Sequence, residues 1–236
     1  MPNPYHDAEG KFTSKEGMQV AAHKLIADGR FHEAIQLLTE YENASGEPSL
    51  PSTPERHITH PDGTQAWYLN GQRHRVDGPA YIHPNGTQAW FLNGVRHRED
   101  GPAVAYLDGT QAWYLNGKRH RVDGPAITRA DGSEEYWVDG KLHRADGPAI
   151  TYSDGTEEWY LNGKKHRVDG PAITRPNDSE RWFLNGKLHR VNGPAYTSPA
   201  GTQRWYLNGQ LHRQGGPAIT RPDGSEEYWV NGERTR

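Results

Sequence analysis

At 236 residues the chain has room for one or two ordinary domains, yet only 33% of it is hydrophobic, too little to fill a large single core. It has no cysteine, which excludes disulfides and thiolate metal sites, and its net charge of −3 excludes the broad basic field that nucleic-acid or anionic-lipid binding uses. No apolar run is long enough to span a bilayer, and the opening MPNPYHDAEG lacks the charged and apolar regions of a signal peptide, so a soluble chain not secreted by the general route is expected.

Residues 1–12 are polar, contain Gly and Pro, and read as an extended arm. A helix is expected from Thr13, where Thr13-Ser14-Lys15-Glu16 has capping-box spacing. Met18, Ala21, Ala22, Leu25 and Ile26 then recur at helical intervals, and Gly29 supplies a stop. A second helix carries Phe31, Ala34, Ile35, Leu38 and Tyr41 on one face, so residues 13–44 make an αα-hairpin. Residues 45–56, SGEPSLPSTPER, form a Pro/Ser linker. The acidic excess sits in this part of the chain, since residues 1–56 hold 5 Lys and Arg against 9 Asp and Glu.

Residues 57–236 repeat one 23-residue sentence. The copy LDGTQAWYLNGKRHRVDGPAITR (107–129) is typical; seven full copies run from Pro61 to Arg221, and an eighth stops at the C-terminus. A fixed period of this size indicates a stacked array whose units bury their faces on one another. The Asp-Gly and Asn-Gly pairs mark tight hairpin turns, T-Q-A-W-Y-L has strand length and composition, and Pro opens a short P-A-I-T-R strand. The expected fold is mainly β: an elongated, twisted, single-layer sheet of about eight stacked β-hairpins, preceded by the small αα-hairpin. At two strands per copy the array should advance about 10 Å per unit and run roughly 75–80 Å.

Alternation places Trp67 and Leu69 on one face and Ala66 and Tyr68 on the other. Later copies keep the aromatic pair as Trp90-Phe91, Trp113-Tyr114, Tyr136-Trp137, Trp159-Tyr160, Trp182-Phe183, Trp205-Tyr206 and Tyr228-Trp229. Both faces should therefore carry an aromatic ladder, one holding the sheet together and the other free to grip a partner.

The words W-Y-L-N-G-K-x-H-R-x-D-G-P-A at this period resemble the MORN repeat family, in particular its divergent bacterial YwqK-type branch. The typical unit of that family has Gly directly after the His, where Arg75, Arg98 and Arg121 stand here, and the Tyr-x-Gly lead-in to the Trp is missing. The resemblance implies a twisted ribbon of hairpins, and the family's lipid-binding and membrane-junction roles come with it as expectations. The stretch 21–41, AAHKLIADGRFHEAIQLLTEY, resembles half a tetratricopeptide pair and implies a cap or docking element. Asn3-Pro4-Tyr5-His6-Asp7 followed by Gly10-Lys11-Phe12-Thr13-Ser14 resembles the opening of assorted tailed-phage proteins, which implies a phage or prophage source.

Three constellations invite chemistry. His-Arg-x-Asp, as in His74 with Asp77 or His120 with Asp123, offers an imidazole beside a carboxylate, but it recurs in register without a unique nucleophile, so its expected role is to fix the loop and no catalytic residue is assigned. Histidines of successive copies about 10 Å apart cannot share a metal, and neither a metal nor any other cofactor is expected. Arg73, Arg75, Arg96, Arg98, Arg119, Arg121, Lys165 and Arg167 are expected to form a basic row along one edge, a candidate for small anions or lipid headgroups. The expectation is a non-enzymatic, phage-encoded scaffold with a protein partner, in the virion or on a host factor in the bacterial cytoplasm. The alternative is a binder of lipid or a small anionic ligand, such as a counter-defence sponge for a nucleotide signal; nucleic acid is disfavoured.

Overall fold

The computed structural model describes residues 56–236, with positions 18, 20–22, 24, 25, 33, 34 and 37 nearer the N-terminus. Those early positions are all helical. Met18, Ala22 and Ala34 are buried while Val20, Lys24 and Glu33 are exposed, the burial that one apolar helix stripe produces. The arm, the capping box, the Gly29 stop and all of the linker except Arg56 lie outside the described residues. Among the described residues no helix is long and apolar enough to cross a membrane.

Everything from Arg56 onward is strand and turn, so the protein is mainly β, as the repeat predicts. The chain divides into two compact units, residues 1–84 with 88–96 and residues 85–87 with 97–236. In the first unit β1 (Arg56–Thr59) pairs antiparallel with β2 (Gln65–Leu69), which pairs in turn with β3 (Gln72–Arg73) and β4 (Tyr81–Ile82). β5 (Gln88–Ala89) continues from β4, and β6 (Phe91–Leu92) makes a hairpin with β7 (Val95–Arg96).

The second unit shows the repeat at its most regular. β8 (Val104–Ala105) pairs with β9 (Gln111–Ala112), and β10 (Tyr114–Leu115) makes a hairpin with β11 (Lys118–Arg119). β12 (Ile127–Thr128) then pairs back on β9 and forward on β13 (Glu134–Glu135). The same succession recurs to the C-terminus, always antiparallel.

The expected six-residue strand is in fact two strands. In the second unit it breaks at the first aromatic, where Trp113 N–H donates to Ala126 O at 2.7 Å and Trp113 C=O accepts from His120 N–H at 3.2 Å. One residue thus serves two ladders, and the backbone turns a corner there. Only β2, paired with β1 as far as Tyr68, runs unbroken through its Trp. The stretch read as a polar loop likewise holds a strand, because Asn116 and Gly117 have φ of 50° and 78°, the two positive values of a type I′ hairpin turn. That turn returns the chain at once onto β10 as β11.

The core is a thin row of small and branched side chains from the P-A-I-T strands. Ala126, Ala149, Ala172, Ala195 and Ala218 are all fully buried, and Ile173 is 1% exposed. Directly opposed partners set one face of the second unit in order: Ala112, Ile127, Glu135, Ile150, Glu158, Ile173, Arg181, Tyr196, Arg204, Ile219 and Glu227. The second aromatics lie on this side too, because Trp137 and Tyr160 each bond the glutamate two residues earlier.

Candidate interaction surfaces

In six copies the arginine after the histidine lies on its own copy's first aromatic. Arg75 sits 4.3 Å from the Trp67 ring centroid, Arg121 4.2 Å from Trp113, Arg144 4.0 Å from Tyr136, Arg167 3.9 Å from Trp159 and Arg213 4.0 Å from Trp205. The planar guanidinium suits a ring face and leaves its N–H groups free sideways. In Arg121 those groups donate from Nε to Asp123 at 3.2 Å and from Nη1 to Pro125 O at 3.3 Å. On its other side a Cβ added to Gly124 would stand 3.0 Å from Arg121 Cζ, and one added to Gly170 only 2.6 Å from Arg167 Cζ. This glycine is set by the guanidinium against it, not by a turn. Asp77, bonded to Arg75, is held below the usual carboxylate range by that hydrogen bond first and by the charge second.

The histidines reach forward to the next copy. Asn93 N–H donates to His74 Nδ1 at 3.1 Å, Asn116 to His97 at 3.2 Å, Asn162 to His143 at 3.2 Å and Asn185 to His166 at 3.2 Å. The side-chain oxygen of the same residue lies closer still, 3.0 Å from Nδ1 at Asn93, Asn162 and Asn185, so each histidine nitrogen meets both the backbone and the side chain of the neighbour's turn residue. At His120 the partner is Asp139, whose carboxylate oxygen also lies 3.0 Å from Nδ1. The His-Arg-x-Asp group is therefore not a dyad: the aspartate bonds the arginine, and the histidine caps the Asn-Gly turn one copy on. The histidine, expected to fix its own copy's loop, meets a turn that belongs to the neighbour.

Most of the basic residues are engaged by neighbouring groups. Arg75, Arg121 and Arg167 lie on the first aromatics, and Arg98 makes the equivalent bonds to Asp100 at 2.9 Å and to Pro102 O at 3.4 Å. Arg73 lies 4.7 Å from Tyr81 and 5.5 Å from Phe91, Arg119 lies 4.9 Å from Trp137, and Lys165 pairs with Glu158 at 3.3 Å between Tyr160 and Phe183. Arg96 is exposed. The split has a simple cause: the two-residue strand ends at Arg119, so Arg121 stands on a different stretch of backbone and alternation does not carry across.

The aromatic ladders are equally committed. Trp67, Trp90, Trp113, Tyr136, Trp159, Trp182 and Trp205 are half-buried, as are Tyr68, Phe91, Tyr114, Trp137, Tyr160, Phe183 and Tyr206. The contacts of the first set are chiefly guanidinium on ring rather than ring on ring. What stands free was not singled out by the sequence. Val122, Val168 and Val191 occupy equivalent positions and are 83%, 77% and 72% exposed. Between copies lie grooves edged by these valines; one is lined by Val168 and Arg167 on one side and by Trp182, Leu184, His189 and Val191 on the other. The next groove repeats the arrangement with Val191, Trp205, Leu207 and His212. The signal available in the sequence was the x of H-R-x-D-G, where a valine recurs at a place the hairpin gives no reason to bury. No protein-family model matches the chain and no curated protein matches it, so the geometry of these surfaces is the guide to what it does.

Proposed function

We propose that the chain is a non-enzymatic scaffold that docks a protein partner along the valine-edged grooves of its repeat array. The observation that carries this reading is the placement of Val168 and Val191, exposed apolar side chains beside grooves lined by Trp and Leu of the following copy. Val168 and Val191, one copy apart, offer a partner two adjacent apolar anchors. The pairing of histidine with the neighbouring turn, and of aspartate with arginine, gives both a structural duty and supports the non-catalytic reading. The engagement of Arg75, Arg121 and Arg167 argues against a lipid or nucleotide site along the basic positions. The resemblance of residues 3–14 to tailed-phage proteins is the ground for proposing that the scaffold acts in a phage particle or on a host factor.

A photo-crosslinking residue at Val168 or Val191, introduced in the cells that make the protein, should give one discrete protein adduct. The same residue at exposed Lys187 should give none. Equal labelling at all three positions, or no adduct at the valines, overturns the reading.

A further inference from the structure

We infer that Arg181 and Arg204, with Tyr196 between them, form a docking site for the carboxylates of a short acidic protein segment. The site lies on the face of the second aromatics and is independent of the valine-edged grooves. The positions equivalent to Arg181 and Arg204 hold Ala66, Ala89 and Ala112 in three copies and Glu135, Glu158 and Glu227 in three others, and each of these glutamates is matched. Glu135 pairs with Arg129 and accepts from Trp137 Nε1 at 2.7 Å; Glu158 pairs with Lys165 at 3.3 Å and accepts from Tyr160 OH at 2.9 Å; Glu227 pairs with Arg221 and accepts from Trp229 Nε1 at 3.0 Å.

At Arg181 and Arg204 the sign is reversed. Among the described residues no carboxylate lies within ion-pair distance of either, and the Nε of each is buried without a hydrogen-bond partner. Both guanidinium carbons stand 5.4 Å from the Tyr196 ring centroid, one from each neighbouring strand. Two like charges share one ring, about two strand spacings or 10 Å apart at the backbone. Arg175, the counterpart of Arg129, has Arg181 six residues on where Arg129 has Glu135; Asp154 in the preceding turn is near enough for Arg175 to help lower its pKa, after the Thr156 hydrogen bonds.

The chemistry of the missing partner is read from the other copies. There the array neutralises the same geometry with a carboxylate set between a cation and an aromatic side chain, and an arginine fork accepts a carboxylate in two parallel hydrogen bonds. The length of the partner is bounded by the flanks. Glu158 on one side and Glu227 on the other lie about 29 Å apart at strand spacing and are already paired with Lys165 and Arg221, so the unpaired cationic stretch ends between them and a long polyanion such as a nucleic-acid strand gains nothing beyond it.

The test is fluorescence anisotropy of labelled hexaglutamate with the full chain at low salt. Arg181→Glu with Arg204→Glu is the informative variant, because three other copies carry glutamate at this position within the same fold. Wild type should bind, the double variant should lose at least about tenfold in affinity with an unchanged circular dichroism spectrum, and Arg181→Gln alone should fall between. Should the glutamate pair fail to fold, Arg181→Gln with Arg204→Gln replaces it. Absence of wild-type binding, equal binding by the double variant, or tighter binding of oligouridylate of matched charge each overturns the assignment.

Discussion

Arg190 holds its guanidinium carbon 3.8 Å from the centroid of Trp182 although residue 192 is asparagine and offers no charge. Arg213 does the same over Trp205 with Gly215 in that place. Both keep the bond to the proline carbonyl, at 3.3 and 3.1 Å. The ring and the carbonyl therefore position the arginine, and the aspartate of other copies is an addition. Arg190→Ala should cost about 1–2 kcal/mol, the range for a partly desolvated cation on an indole plus its hydrogen bond. Asp123→Asn, whose carboxylate is 85% exposed, should change stability by less than about 0.5 kcal/mol. Equilibrium urea unfolding measures both, and a larger effect for the aspartate would reverse this order of importance.

Gly170→Ala carries a second consequence of the same clamp. No positive φ is involved, yet the new methyl would meet Arg167 Cζ at 2.6 Å and push the guanidinium off Trp159. The loss should resemble that of Arg167→Ala, about 1–2 kcal/mol, and the two should not add. A double-mutant cycle that found simple additivity would show that the glycine serves something else.

His143→Leu should remove the ring nitrogen that meets both the N–H and the side-chain oxygen of Asn162 one copy later, at a cost of about 1 kcal/mol. Because that bond joins neighbours, its loss should weaken coupling along the array as well as local stability. Amide exchange reports it directly: the Asn162 amide should lose protection while Asn208, which donates to His189 at 3.1 Å, keeps its own.

High pH should loosen the array. Tyr160 has its phenol pKa raised from the ordinary 10.0, first by burial and then by the hydrogen bond to Glu158. A group whose folded pKa is raised contributes stability that is complete below its unfolded value and lost as pH climbs toward the folded one. Stability should therefore begin to fall near pH 10, more steeply in wild type than in Tyr160→Phe. Alkaline unfolding followed by circular dichroism separates the two; parallel curves would mean another tyrosine dominates.

The backbone was largely legible from the chain, because it depends on preferences a few residues long. Asn-Gly pairs demand positive φ and appear as hairpin turns at Asn116-Gly117 and its equivalents. Alternation correctly put Ala66 and Tyr68 on the opposite face from Trp67, and the P-A-I-T words became the buried row at Ala126 and Ile127. The period itself announced that every copy would repeat the same structure.

Partnership was decided elsewhere. Which group His143 meets depends on the turn that the next copy brings beside it, and proximity in sequence favoured Asp146 over the true partner Asn162. The corner at Trp113 and the end of the strand at Arg119 divided a run of basic residues between two surroundings, which no count of charges foretells. The reversed sign at Arg181 and Arg204 gained meaning only once the register set them across from Tyr196 in line with Glu158 and Glu227. Local torsional preference is written residue by residue, whereas a side chain's partner is settled by strands that meet only after the chain has folded back on itself.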